Sequence, residues 1–248
     1  IHACDRAGVR LFVVKQNRYN PPVQRLRQAL EEGRFGKIVM GTVRVRWCRR
    51  QDYYDQDAWR GTWALDGGVF TNQASHHVDL LEWMLGDPVS VFAKSSTQLV
   101  EIEVENSGVA VLQFKGGILG VIEVTTATRP RDLEGSLSIL GEYGTVVIGG
   151  FAVNEIQTWN FIHPEPGDAT IARETNQKPP NVYGFGHIPY LENVVNCIQN
   201  GEPALVDGLE GRRSLELISA IYESVETGRE VFLRFQPKKC KLGIKHDG

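Results

Sequence analysis

No stretch of this 248-residue chain holds more than a few consecutive apolar residues, so nothing in it is long enough to span a bilayer, and no signal-type segment opens it. Cysteine is scarce. Cys4, Cys48, Cys197 and Cys240 are widely spaced without any Cys-x-x-Cys, which argues against a zinc site or a disulfide framework and leaves reduced thiols and a cytoplasmic setting as the expectation. Excess positive charge is lacking too: 27 Lys and Arg stand against 30 Asp and Glu, for a formal net charge of −3. That balance argues against general nucleic-acid affinity, but not against a local basic pocket for an anionic small molecule. No Gly-x-Gly-x-x-Gly follows an apolar strand, and the closest glycine cluster, Gly184-Phe185-Gly186, precedes His187 and a proline instead of opening a phosphate-binding helix.

What is present concentrates in residues 66–86, Asp-Gly-Gly-Val-Phe-Thr-Asn-Gln-Ala-Ser-His-His-Val-Asp-Leu-Leu-Glu-Trp-Met-Leu-Gly, where a glycine turn feeds a helix. Asn72, His76, Asp79 and Trp83 fall at i, i+4, i+7 and i+11, so an amide, an imidazole and a carboxylate share one stripe. Phe70, Val78, Leu81, Met84 and Leu85 are left to face a core. A lone His-x-x-Asp is more often structural than chemical, because two residue types at one spacing carry little information. His76 and His77 with Asp79 make a poor metal site, since adjacent helical residues point about 100° apart.

Along the rest of the chain, Arg10–Asn17 reads as a strand with a polar end, and Asn20-Pro21-Pro22 as the N-cap and first turn of a helix carrying Val23, Leu26 and Leu30 before Gly33. A strand over 37–49 puts Val39, Val43, Val45 and Trp47 on one face and Met40, Thr42, Arg44 and Arg46 on the other. Residues 50–66 have no period and are rich in Tyr, Trp, Asp and Arg, the composition of a binding loop. From 88 to 159 the period is two. Val109–Phe114 and Ile118–Thr126 form a hairpin about Lys115-Gly116-Gly117, and Leu133–Leu140 with Thr145–Ile148 continue an antiparallel meander. An excursion without period spans 161–184. Leu191, Val194, Val195 and Ile198 then mark one helix, and Leu215, Ile218, Tyr222 and Val225 another; the Lys238-Lys239-Cys240-Lys241 tail reads as a solvated end. These signals predict an α/β (α+β) domain, an open, mostly antiparallel sheet with helices on one face.

Gly67-Gly68-x5-Ala74-x-His76-x-x-Asp79-x6-Gly86 resembles the Gly-Gly…Gly-x-His-x-x-Asp segment of the Gfo/Idh/MocA family of NAD(P)-dependent sugar oxidoreductases. Lys15-Gln16-Asn17-Arg18-Tyr19-Asn20-Pro21 and the run Tyr53-Tyr54-Asp55-Gln56-Asp57-x-Trp59-Arg60-Gly61-Thr62-Trp63 are similar to the subgroup that oxidises the 3-hydroxyl of UDP-N-acetylglucosaminuronic acid. The family often has Asp and Gly where this chain has Asn72 and Ala74. The resemblance implies NAD as cofactor, His76 as catalytic acid/base, a nucleotide-sugar substrate in surface-polysaccharide biosynthesis, and a homo-oligomer formed through the free sheet face. For a substrate carrying a carboxylate and a diphosphate, the candidate contacts are Lys15, Asn17, Arg18, Arg60, Asn72 and His187, with Tyr183 beside His187 and Trp59 and Trp63 as stacking surfaces. Asp79 has either a direct or an orienting role. The family's Glu-Lys-Pro is not found, and Lys15 lies on the strand after the place where that motif belongs. The expectation is therefore residues 1–20 as the tail of a truncated Rossmann domain, 21–248 as a substrate-binding and oligomerisation domain, and no NAD reduction by the chain alone. The alternatives are another sugar or inositol dehydrogenase of the family, or a non-catalytic ligand-binding and oligomerisation module.

Overall fold

The computed structural model describes residues 1–179 and 184–233. Helix α1 (His2–Ala7) closes on Gly8 in the left-handed region. The strand expected over 10–17 does not form. Among the described residues its backbone finds no neighbouring strand, only an isolated bridge from Phe12 to Asp207, and its polar end winds into a 3-10 turn, Gln16–Tyr19. Helix α2 (Pro21–Glu31) follows, with proline where a missing N–H does no harm. Asn20 occupies the N-cap position without capping; its amide donates to the carbonyls of Ala152 and Val153 and ties the helix start to a distant loop.

Strand β1 (Ile38–Arg46) leads through short α3 (Gln51–Tyr54) to α4 (Ser75–Leu85), and then β2 (Pro88–Ser96), β3 (Ser107–Phe114), β4 (Leu119–Thr125), β5 (Glu134–Gly141), β6 (Gly144–Gly149) and β7 (Glu155–Phe161). After α5 (Ile171–Thr175) come α6 (His187–Asn200), α7 (Gly208–Thr227) and β8 (Val231–Phe232). The sheet order is β7-β6-β5-β1-β4-β3-β2-β8. Two antiparallel meanders, β2–β4 and β5–β7, are joined by the first strand, which pairs antiparallel with β5 and parallel with β4, the one parallel pair among the described residues. Periodicity fixes which face each strand buries but not which neighbours it takes, so β1 at the centre was not expected.

Helices α4 and α7 pack on one sheet face. Val43, Val45, Ile122, Val124, Leu137 and Ile139 point into that layer and meet Val78, Leu80, Leu81, Leu217 and Ile221, all fully buried or nearly so. Each such side chain contributes about 1.5–3 kcal/mol relative to exposure. Phe70, Met84 and Leu85 join them as the helical spacing requires. Val39 does not: the β1 register breaks between Ile38 and Met40, which leaves it exposed. The opposite face is bare, with Val109, Val111 and Leu119 exposed beside an ion-pair ladder of Arg44 and Arg46 with Glu123 and of Arg46 with Glu134. Helix α7 starts on a capping Asp207, whose carboxylate accepts from the Glu210 amide at 2.8 Å. In α6 only Tyr190 and Cys197 are buried, and Leu191, Val195 and Ile198, whose spacing marks the helix, face outward.

Candidate active site

Helix α4 has Ala74 at its N-cap and no side chain satisfying its first amides. Its beginning is set by the preceding turn: Gly67 sits at φ 72°, and the Asn72 amide donates to the Gly68 carbonyl and the Ala74 amide to the Val69 carbonyl. Asn72 thus lies on the turn before the helix, and His76 lies in the first helical turn. Both line a cavity of about 450 Å³, together with Gln16, Asn17, Trp47, Arg49, Tyr53, Gln56, Trp59, Arg60, Gln73 and His77.

At the inner end the polar atoms are short of partners. His76 Nδ1, Gln16 Oε1 and both ring nitrogens of His77 are buried without a hydrogen-bond partner, and Gln16 Nε2 approaches His76 Nε2 only to 3.5 Å. Such atoms are costly to bury unless a ligand completes them. Burial lowers the His76 pKa to about 4, aided by the charges of Lys15 and His187 and opposed by Asp79. Its imidazole is therefore neutral at pH 7, the form that accepts a proton. His77, 1% exposed, lies edge-on to Trp47 at 5.7 Å and is lowered by burial to about 3.

The outer end is cationic and aromatic. Arg49 and Arg60 each lie over the Tyr53 ring, at 5.3 and 4.2 Å from its centroid, and Arg60 also lies over Trp59 at 5.1 Å. Arg49 Nη1 meets Asp132 at 3.0 Å and the Cys48 carbonyl at 2.7 Å, and Arg60 Nε meets Asp57 at 2.9 Å, so each guanidinium keeps donors that these contacts do not use. Arg49, Gln16, Gln56 and Gln73 were not among the candidates read from sequence. The signal for Arg49 was its place two residues beyond Trp47, where an outgoing strand hands side chains to the next loop.

Of the sequence candidates, His76, Asn17, Asn72 and Arg60 come together around this cavity, with Trp59. Arg18 does not. It is 2% exposed, grips Asp79 through Nε at 2.8 Å and Nη2 at 2.9 Å, and reaches Glu210 at 3.0 Å with Nη1, so its guanidinium is a buried structural centre and not a free clamp. Asp79 is correspondingly held as the partner of Arg18, with Lys15 Nζ 3.8 Å from its Oδ1. Lys15 is likewise buried and outside the cavity lining; burial lowers its pKa, and it acts on His76 through its charge. His187 opens α6 and is felt at His76 electrostatically; Gly186 before it lets the helix start abut the Gln16 carbonyl, which a Cβ would overlap. Trp63 lies edge-on to Tyr222, away from the cavity. Tyr183 and the 238–241 tail lie outside the described residues. A larger hollow of about 1010 Å³ between the end of α4 and α7 omits His76, and its arginines are paired with acids, Arg18 with Asp79, Arg27 with Glu31, Arg212 with Glu216 and Arg213 with Asp87.

Comparison with known proteins accords with the fold. Residues 27–233 match the model of the oxidoreductase family C-terminal alpha/beta domain, GFO_IDH_MocA_C. The structure of the WlbA dehydrogenase from Bordetella pertussis, in complex with NADH and UDP-GlcNAcA, is 51% identical and superimposes with a TM-score of 0.90 over 95% of this chain and 68% of that one. The WlbA dehydrogenase from Chromobacterium violaceum, also in complex with NADH and UDP-GlcNAcA, is 47% identical with a TM-score of 0.87, over 95% of this chain and 66% of that one. Among curated proteins, the myo-inositol 2-dehydrogenase of Thermotoga maritima is 27% identical over 94% of this chain and 67% of its own length. The chain thus spans about two thirds of the length of the relatives it matches. It belongs to the Gfo/Idh/MocA oxidoreductase family, as a bearer of that family's C-terminal α/β domain.

Proposed function

We propose that this domain forms the substrate half of an NAD-dependent dehydrogenase that oxidises the 3-hydroxyl of UDP-N-acetylglucosaminuronic acid in bacterial surface-polysaccharide biosynthesis. The observation that carries the reading is a neutral imidazole with an unsatisfied nitrogen at the inner end of a cavity whose outer end bears two guanidiniums. Imidazole accepts a hydroxyl proton; guanidinium binds carboxylate or phosphate. The two similar structures at 47–51% identity, each in complex with NADH and UDP-GlcNAcA, support the same substrate.

The residues fit a nicotinamide cofactor through Gln16 Oε1, a buried acceptor without a partner that a carboxamide N–H would satisfy. A bound nicotinamide would supply the hydride acceptor for the sugar C–H. The chain's own work is the remainder. His76 takes the hydroxyl proton, Asn17 and the carbonyl oxygen of Asn72, whose Nδ2 donates to Asp66, face the sugar ring, and Arg49 and Arg60 hold the anionic portion. Tyr53 and Trp59 provide flat surfaces for sugar or base.

Two further parts of the reading concern assembly. Ile188, Leu191, Val195 and Ile198 on α6, with Val9 and Val14, are exposed apolar groups, and a dinucleotide-binding domain to which residues 1–20 contribute is the partner that suits them. The bare sheet face with Val109, Val111 and Leu119 suits a second copy of the chain.

An inositol dehydrogenase is the competing reading, supported by the curated relatives. A neutral polyol makes no use of two rim guanidiniums, which favours the acidic substrate. Calorimetry with UDP-N-acetylglucosaminuronic acid, inositol and glucose decides between them. Binding of the nucleotide sugar alone is expected, and affinity for a free polyol without it would overturn the assignment.

A further inference from the structure

At the turn that delivers His76, and outside the cavity lining, the Tyr222 hydroxyl has all its hydrogen-bonding capacity filled. It accepts from the Gly68 amide at 3.1 Å and from Thr71 Oγ1 at 2.7 Å, and it donates to Glu105 Oε1 at 2.9 Å. A phenol offers one donor and two acceptor sites, so nothing remains over. Glu105, buried between β2 and β3, closes the arrangement from the other side. Its Oε1 also accepts from the Phe70 amide at 3.3 Å, and its backbone carbonyl accepts from the Val69 amide at 3.0 Å. Three successive amides, of Gly68, Val69 and Phe70, are thus held from outside the turn, by residues 35 to 154 positions away.

Gly68 explains itself in the same terms. Its backbone does not need glycine's freedom, but a Cβ there would overlap the Glu105 carboxylate. The Tyr222 ring is also fixed, edge-on to Trp63 at 5.5 Å and to Phe70 at 6.2 Å. Since α4 has no capping side chain, its start takes direction from the turn, and the turn takes direction from this staple.

We infer that Tyr222 and Glu105 are positioning residues for the proposed reaction: they clamp the Gly67–Thr71 turn and thereby set where Asn72 and His76 stand in the cavity. This rests on the functional reading above only in naming the reaction. The clamp itself is a statement about the chain, and it can be tested without turnover.

The test uses Tyr222→Phe, which keeps the ring and deletes the hydroxyl. By NMR of the 248-residue chain, the Gly68 amide is expected to exchange at least tenfold faster. The His76 ring resonances, recorded at pH 7, are expected to shift, while amides of β3 and β4 exchange as before. Glu105→Ala is to reproduce both changes, and Glu105→Gln, which keeps the accepting oxygen, is to restore the wild-type ring resonances. Should Tyr222→Phe fail to fold, the Glu105→Ala and Glu105→Gln pair carries the test alone. His76 ring resonances that superimpose on wild type in Tyr222→Phe or Glu105→Ala overturn the inference, as does unchanged Gly68 exchange. If both signatures move as expected but UDP-N-acetylglucosaminuronic acid binds no variant and no wild type, the clamp stands and the substrate reading falls.

Discussion

Lowering the pH from 7 to 4 probes the site through stability. His76 and His77 are both neutral in the folded chain, held at about 4 and about 3 chiefly by burial, whereas in the unfolded chain they protonate at the ordinary value near 6.5. A depressed histidine gives stability that is whole above the unfolded pKa and is lost as pH falls through the folded one. At about 1.4 kcal/mol per pH unit for each proton, the pair imposes a slope of about 3 kcal/mol per unit between pH 6.5 and 4. The full effect is about 3 kcal/mol for His76 and about 5 kcal/mol for His77, comparable with the whole stability of an ordinary domain. Asp168, held at about 2 first of all by its hydrogen bond from Arg34, acts in the same direction at lower pH. Glu105, raised by burial, acts in the opposite one. Urea unfolding at half-unit steps of pH measures the slope, and His77→Phe, which keeps a ring beside Trp47, is expected to halve it. Stability that stays flat from pH 6.5 to 5, or a slope indifferent to His77→Phe, refutes the reasoning.

Arg18→Met leaves the buried Asp79 without its bidentate partner, and denaturant titration should register a loss of about 3–5 kcal/mol, partly recovered in the Arg18→Met/Asp79→Leu double variant. Arg49→Ala and Arg60→Ala each remove a charge-assisted contact worth about 1.5–3 kcal/mol, so calorimetry should find UDP-N-acetylglucosaminuronic acid bound about 10- to 100-fold more weakly, with a shallower salt dependence. In the enzyme that joins this domain to a nicotinamide site, His76→Ala should reduce turnover at least ~100-fold, and an unchanged rate would return His76 to a packing role.

Local pattern revealed what is local. The hairpin about Lys115-Gly116-Gly117, helix α2 on Pro21 and the apolar side of α4 all follow from spacing within a dozen residues. His76 was legible because its helix carries a glycine turn and a family pattern. Arg18 was misread for a physical reason: a guanidinium at the polar end of an apolar run looks like a ligand clamp until its partner is known, and Asp79 is 61 residues away. Asn20 has the composition of a cap, yet its amide is spent on Ala152 and Val153. The outward stripe of α6 shows the same limit. Periodicity tells that Leu191, Val195 and Ile198 share a side, not what covers it. Tyr222 and Glu105 left no trace beyond an apolar period and a lone acid, since the geometry that joins them is wholly tertiary.

The central place of β1 has a consequence during synthesis. Val43 and Val45 emerge early, but the strands that flank them are complete only at Thr125 and Gly141. At about 5–20 residues per second a ribosome needs on the order of ten seconds to supply that second neighbour. Through that interval the nascent chain carries an unshielded hydrogen-bonding ribbon, open to premature pairing with other polypeptides.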